Sequence, residues 1–310
     1  MRDSKPLVVS VGEILWDVLP TGRILGGSPV NVAWHAAQLG ADSRVVSAVG
    51  DDESGREIMV GMRALDLDTD LVQSIPGKPT GSVGARIGED GVAAYILPPD
   101  LAWDYLAPTD DALRAIAAAR AILFGSLAQR CATGTATMKV FLQHAGTECL
   151  RIFDINLRPG TVRKEVLIFG LEHCEVVKLN FEELQLVAEM FNWPGQMERI
   201  LDYFLAAYPG VRHLVVTRGA DGVWWKTRES FLERRGRKAV VGDTIGASDA
   251  LAAAVTMGLL SGMQPADIIG IAQDIAGHVC TVVGATPVLP DVLRDRFLRT
   301  ASVAPRYSPP

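Results

Sequence analysis

Short apolar runs separated by helical patterns recur along this chain, and that alternation most limits how it can fold. Residues 7–11, 45–49, 121–124, 149–153, 176–179 and 213–216 read as strands. Helical periodicity lies at 29–39, closed by Gly40, and at 55–64. A strand that is apolar along its length, rather than at every second position, needs cover on both faces. Such strands alternating with helices predict a mostly parallel central sheet between two helical layers, a three-layer α/β/α fold. With 310 residues, 48% of them hydrophobic, the chain can fill a large core. We expect one domain over residues 1–300 and a flexible proline- and serine-rich tail over 301–310.

One region departs from this rhythm. Residues 81–87 and 92–97 flank the turn Gly88-Glu89-Asp90-Gly91, a hairpin signal. Together with 14–25 they predict a small antiparallel sheet set apart from the main one, with lid elements over 14–27 and 79–104. Such a flap can close over a ligand and exclude water; a plain surface hairpin is the alternative.

Charge and composition argue against several partners. Charged residues make up 21% of the chain, the formal net charge is -6, and no block of Lys and Arg stands out. No nucleic-acid partner is therefore expected. The polar stretch 1–6 runs into an apolar segment too short for a signal-peptide core. The apolar run 250–260 falls short of the roughly 20 residues of a membrane span. Cys131, Cys149, Cys174 and Cys280 lack any C-x-x-C pairing, which predicts reduced thiols in a cytoplasmic protein. Neither G-x-x-x-x-G-K-[ST] nor G-x-G-x-x-G is present, so a Walker loop and a dinucleotide fingerprint are both absent.

The segments that can carry chemistry follow predicted strands or open helices. Val241-Gly242-Asp243-Thr244-Ile245-Gly246-Ala247-Ser248-Asp249-Ala250 reads as a tight turn into a small-residue helix with an acid in its first turn. Unpaired N–H groups and the helix dipole there suit a phosphate, and a carboxylate beside it can take a proton from a hydroxyl. The plainer reading is a favourable first-turn acid on a buried helix. Gly12-Glu13-Ile14-Leu15-Trp16-Asp17 places an acid beyond the first strand, and Gly26-Gly27-Ser28-Pro29-Val30-Asn31 joins a diglycine to an early helical Asn. An Asp and an Asn at strand carboxyl ends suit vicinal hydroxyls, though each alone also serves as a cap or turn residue.

Three further segments follow strands. In Asp154-Ile155-Asn156-Leu157-Arg158, the guanidinium can grip phosphate. Lys178-Leu179-Asn180-Phe181-Glu182-Glu183 offers polar groups to a hydrated Mg²⁺, or simply an Asn cap with Glu183 completing its capping box. Thr217-Arg218-Gly219-Ala220-Asp221-Gly222 has the glycines for a tight turn beside a nucleotide.

These segments occur together in one order, and over residues 9–287 the chain resembles the ribokinase-like (PfkB) family of carbohydrate kinases. Within it, Ala102-Trp103-Asp104 and Gly284-Ala285-Thr286-Pro287 are similar to bacterial fructokinase-type members. The resemblance implies a ribokinase-like fold and transfer of the ATP γ-phosphoryl group to a sugar hydroxyl, with fructose as the leading acceptor. It implies Asp249 as catalytic base and Gly246, Ala247 and Ser248 as the anion hole. Asp17, Gly27, Asn31, Tyr95, Trp103 and Arg158 fall on the sugar side. Lys178, Asn180, Thr217, Gly219, Gly222, Asp243 and Thr244 fall on the nucleotide side, and Asn180 and Glu183 toward Mg²⁺. It also leaves room for activation by K⁺ and for a homodimer through the lid. Ribose, a keto-deoxy sugar acid or a nucleoside as acceptor, and a non-catalytic binding protein, are the alternatives.

One departure stands out. The family usually has glycine where this chain has Ser248. In a right-handed helical conformation serine costs little, whereas a required positive φ would store about 1–3 kcal/mol of strain.

Overall fold

A computed structural model describes residues 5–19, 22–87, 93–158, 160–161, 163–236 and 244–304. The chain opens with β1 (Leu7–Val11), β2 (Leu15–Leu19), β3 (Gly22–Gly26), α1 (Ser28–Gln38), β4 (Asp42–Gly50), α2 (Glu53–Ala64), β5 (Val72–Ile75), β6 (Gly81–Ile87) and β7 (Ala93–Ile96). It continues through α3 (Asp110–Ala118), β8 (Ala121–Gly125), α4 (Ala132–His144), β9 (Leu150–Asp154), α5 (Lys164–Glu172) and β10 (Val176–Asn180). Next come α6 (Phe181–Phe191), α7 (Met197–Ala207), β11 (His213–Thr217), β12 (Val223–Lys226) and β13 (Phe231–Arg234). Helices α8 (Ala247–Leu260), α9 (Pro265–Val279) and α10 (Asp291–Val303) close the fold. The last helix thus runs past the expected boundary at residue 300, because Phe297 is buried and Ala301 and Ala304 still pack on the core.

Nine strands form the main sheet in the order β13-β12-β11-β10-β9-β8-β1-β4-β5. From β11 to β5 every pairing is parallel, and β12 and β13 add an antiparallel edge. Alternation along β1 sends Val9 and Val11 into one core and Val8 into the other. The same division separates the adjacent Trp224 and Trp225. This two-sided burial is why these strands are mostly apolar on both faces. Helix α8 is buried all the way from Asp249 to Leu259, and its alanines let α1 and α9 pack closely against it.

The smaller sheet has the order β3-β2-β6-β7. Its outer pairs are antiparallel, but β2 and β6 run parallel, so the sheet is mixed rather than antiparallel as expected. The reason lies in the connection: β2 and β6 are joined through the main sheet rather than by a hairpin, and the chain enters both from the same side. The expected turn at 88–91 lies outside the described residues. Among the described residues no helix is long and apolar enough to cross a membrane.

Candidate active site

The strand order reverses at β1, which lies between β8 and β4. Ligands of open α/β sheets bind at the carboxyl ends of strands beside such a point. Gly12 and Glu13 follow β1 there, while Asp154 ends β9, Asn180 ends β10 and Thr217 ends β11. A set of residues far apart in sequence thereby faces one crevice.

At its centre stands Asp249, in the first turn of α8 and only 9% exposed. Ser28 Oγ donates to its Oδ1 at 2.7 Å, and Asn31 Nδ2 donates to its Oδ2 at 2.8 Å. Both donors come from α1, which starts sharply because Gly27 takes φ +107° and Pro29 sits in its first turn. A Cβ on Gly27 would lie 2.4 Å from the Glu13 carbonyl oxygen, so only glycine lets α1 approach the end of β1. With Nδ2 engaged on Asp249, Asn31 Oδ1 remains buried and without a partner.

Gly246 precedes α8 in the left-handed region at φ +79°, and no side chain caps the helix. A Cβ there would come within 2.6 Å of Ala285. Helix α1 braces that same loop. His35 Nε2 donates to the Ala285 carbonyl at 2.9 Å, and Trp34 Nε1 donates to the Pro287 carbonyl at 3.1 Å. Burial lowers the His35 pKa, in keeping with a neutral ring in this role. Ala247 and Ser248 lie inside α8, and Ser248 is exposed and has no positive φ. The left-handed demand falls on Gly246, so Ser248 carries none of the strain that its departure raised. Thr244 is exposed just ahead of this turn, and Asp243 lies outside the described residues.

A buried polar layer lies beneath the crevice. Lys178 Nζ donates to both oxygens of Asp154, at 3.0 and 2.9 Å, inside the sheet. Burial pushes Asp154 up to about 6 despite that partner. Burial also opposes the charge on Lys178, but Asp154, Glu183 and Asp249 outweigh it and raise its pKa, so the ammonium persists. Glu13 is buried, and that burial pushes it up to about 7. Asn180 and Glu183 form a reciprocal capping box at the start of α6, with both bonds at 2.7 Å. The other Glu183 oxygen accepts from Leu157 N at 2.7 Å. Both carboxylate oxygens are thus engaged by backbone, which suits contact with a hydrated cation through its waters rather than direct ligation. Among the described residues there is no group of three or more His, Cys, Asp or Glu able to hold a metal ion.

On the far side, the turn after β11 closes with Arg218 N donating to the Gly222 carbonyl at 2.7 Å. Gly219 and Gly222 have φ of +52° and +104°, and a Cβ on Gly222 would strike the Arg234 carbonyl. Arg158 is exposed near the crevice.

The lid residues are placed differently. Asp17 lies on β2 with its carboxylate directly over Gly26, where a Cβ would sit 2.1 Å from Oδ2. Tyr95 lies on β7 opposite Ala85. Trp103 is fully buried at the root of the lid, packed with Leu15 and Leu101 and face-on against Gly81. Its Nε1 has no partner.

Ser28 and Glu13 stand inside motifs that assign neither a role, and His35 lies outside every motif. A hydroxyl after a diglycine signals only a helix start. Its contact with a residue 221 positions away appears only once α1 and α8 pack together.

A family model described as pfkB family carbohydrate kinase matches residues 15–292. The chain is 26% identical over 297 residues to a fructokinase from Salmonella typhimurium, covering 90% of this chain and 95% of that one. It is also 26% identical to 5-dehydro-2-deoxygluconokinase 1 from Bacillus cereus, over 90% of this chain and 87% of the relative. Among solved structures, a fructokinase with bound ATP from Xylella fastidiosa matches with a TM-score of 0.80 at 22% identity, covering 96% of this chain and 99% of that one. The fold is therefore the ribokinase-like one found in fructokinases and ribokinases.

Proposed function

We propose that this chain, which belongs to the pfkB family of carbohydrate kinases and is a sugar phosphotransferase, moves the γ-phosphoryl group of ATP to a hydroxyl of fructose. The observation that carries this reading is the seat of Asp249. It lies at the amino end of α8 beside left-handed Gly246, with each oxygen held by a donor from α1. A carboxylate has about four acceptor sites, so two fixed bonds leave room for an incoming hydroxyl. Held in that way, Asp249 acts as the general base.

The uncapped start of α8 supports the phosphate side. N–H groups of Gly246, Ala247 and Ser248 hold the transferring oxygens in this reading, and one such donor contributes about 2.7–4 kcal/mol in a hydrolase oxyanion hole. Ala285 packs so closely on Gly246 that any side chain there would displace the loop and with it the start of α8. Thr217, Gly219, Gly222, Asp243 and Thr244 take the nucleotide. Lys178 fixes the floor through Asp154. When bound with the nucleotide, Mg²⁺ neutralises phosphate charge, and Asn180 and Glu183 reach it through water. K⁺ activation belongs to this reading through the family resemblance alone.

On the sugar side, the unpartnered Asn31 Oδ1 accepts from a hydroxyl, and Gly27 contributes backbone to the same end of α1. Asp17 binds hydroxyls from the lid, Tyr95 and Trp103 shape it, and Arg158 steadies phosphate. Among the described residues β3 and β7 are the edges of the smaller sheet, and their backbone can pair with a second copy in a homodimer; the compartment in this reading is the cytoplasm. Sedimentation at several protein concentrations tests that assembly.

A second acceptor, a keto-deoxy sugar acid, is favoured by the equal identity to the Bacillus cereus relative and by the exposed Arg158 cation. Coupled ADP release across fructose, ribose, a keto-deoxy sugar acid and a nucleoside separates these readings. Fructose is expected to give the highest kcat/KM. Sugar binding without turnover in any arm would leave a binding protein instead.

A further inference from the structure

Beside Ser28, the residue that holds Asp249, lies a small cavity that phosphoryl transfer, as proposed above, does not use. It measures about 20 Å³; its lining is largely apolar, and Ser10, Glu13, Ser28, Asp154 and Asn156 supply the polar groups. That volume holds one water, which needs two to four polar partners. Ser10 lies on the β1 face opposite Val9 and Val11, is 1% exposed, and its Oγ has no hydrogen-bond partner. Glu13 is 5% exposed. Ser28 belongs to both places, since it lines the cavity and donates to Asp249 Oδ1 at 2.7 Å. Ser28 therefore touches Asp249 on one side and, on the other, a cavity that Glu13 also lines.

We propose that this cavity is a water site through which Glu13, a second carboxyl group of the reaction centre, takes up the proton that Asp249 removes from the acceptor hydroxyl. The source of the proton rests on the kinase reading; the water site and its coupling to Asp249 rest on the cavity alone. As the O–P bond forms, the hydroxyl O–H bond breaks and its proton goes to Asp249. With the Ser28 O–H turned from Asp249 toward the water, Asp249 passes that proton to Ser28 Oγ, the Ser28 proton moves to the water, and a proton of the water moves to the Glu13 carboxylate. One proton is displaced, no electrons change hands, and Asp249 is again a base while product covers the crevice.

The surroundings suit that task. The charged groups that act on Glu13 are Asp154 at the end of β9, Arg158 beyond it and Asp249 of α8. Lys178 of β10 stands behind Asp154, and α1 presents the uncharged Ser28. Burial holds Glu13 near neutrality, where a group both accepts and releases protons.

Carbon NMR of the full chain carrying δ-¹³C glutamate tests this directly. One resonance is expected to titrate near 7, to vanish in Glu13→Gln, and to titrate lower in Asp249→Asn, where a neighbouring negative charge is gone. In ADP-release assays Glu13→Gln should lower kcat about tenfold and remove an ionisation near 7 from the kcat profile, with sugar KM nearly unchanged. Ser10→Val, which fills the cavity without touching either carboxyl, should remove the same ionisation. Titration of Glu13 in the ordinary carboxylate range, a position unmoved by Asp249→Asn, or a wild-type pH profile in both Glu13→Gln and Ser10→Val would overturn the proposal. Absence of sugar-dependent turnover in wild type would instead defeat the kinase reading, and the two NMR titrations would then decide the coupling.

Discussion

Ser28 Oγ lies 2.7 Å from Asp249 Oδ1, so the first residue of α1 holds the base carried by the first turn of α8. Asn31 holds the other oxygen from the same helix. The carboxylate is thus oriented before any ligand arrives, and the orientation depends on two helices staying packed.

That arrangement separates turnover from binding. Ser28→Ala removes a bond to a charged group, worth about 1.5–3 kcal/mol, so kcat should fall roughly 10- to 100-fold. Sugar KM should change little, because Ser28 is occupied with Asp249. Asp249→Asn should cost about 10²–10⁴-fold in kcat. Steady-state kinetics on the best acceptor checks both; a Ser28→Ala enzyme with raised KM and unchanged kcat would contradict the assignment.

Two neighbours at the start of α8 should respond in opposite ways. Ser248 is helical and exposed, so Ser248→Gly should leave turnover near wild type and lower stability by about 0.5 kcal/mol. Gly246→Ala must accommodate φ +79° and a contact of 2.6 Å with Ala285. It should lose about 1–3 kcal/mol of stability together with most of its activity. Thermal unfolding and ADP release on the two variants test the contrast, which a gain of activity in Ser248→Gly would reverse.

These contrasts also mark how far sequence reasoning reaches. The strand at 7–11 was legible to the residue, because two-sided burial leaves it apolar at every position but Ser10. The N-x-x-E pattern of Asn180 and Glu183 was legible as a capping box, since that bond pair is local. The parallel pairing of β2 with β6 was not, because it depends on the path through the intervening sheet. Ser248 looked anomalous because φ is not written in residue type; Gly246 two positions earlier absorbs the left-handed turn. The contacts Ser28–Asp249 and His35–Ala285 span more than 200 residues, and no local spacing announces them.

Glu13 should make stability depend on pH in an unusual sense. Burial raises it from 4.5 to about 7, so the folded state holds a proton that the unfolded state releases earlier. Stability from this group is complete below about pH 4.5 and is lost as pH rises through 7. Glu13→Gln removes that loss, and should therefore gain on wild type between pH 5 and pH 8 by on the order of 3 kcal/mol. Urea unfolding at the two pH values measures the difference; an equal offset at both would show that Glu13 does not titrate in this window.

Lys178 and Asp154 share a buried ion pair whose partners are both nearly inaccessible, with 5% and 7% of their side chains exposed. Removing one charge leaves the other buried and unpaired, which costs about 3–5 kcal/mol. Lys178→Met should therefore destabilise the fold strongly. The double variant Lys178→Met with Asp154→Leu should recover most of that loss, since well-packed apolar pairs often replace buried ions at little cost. If Lys178 instead served the nucleotide alone, the single variant would raise the KM for ATP without changing the urea midpoint, and the double variant would rescue nothing. Unfolding curves and ATP saturation on the same three proteins decide between a floor that supports the crevice and a hand that grips the nucleotide.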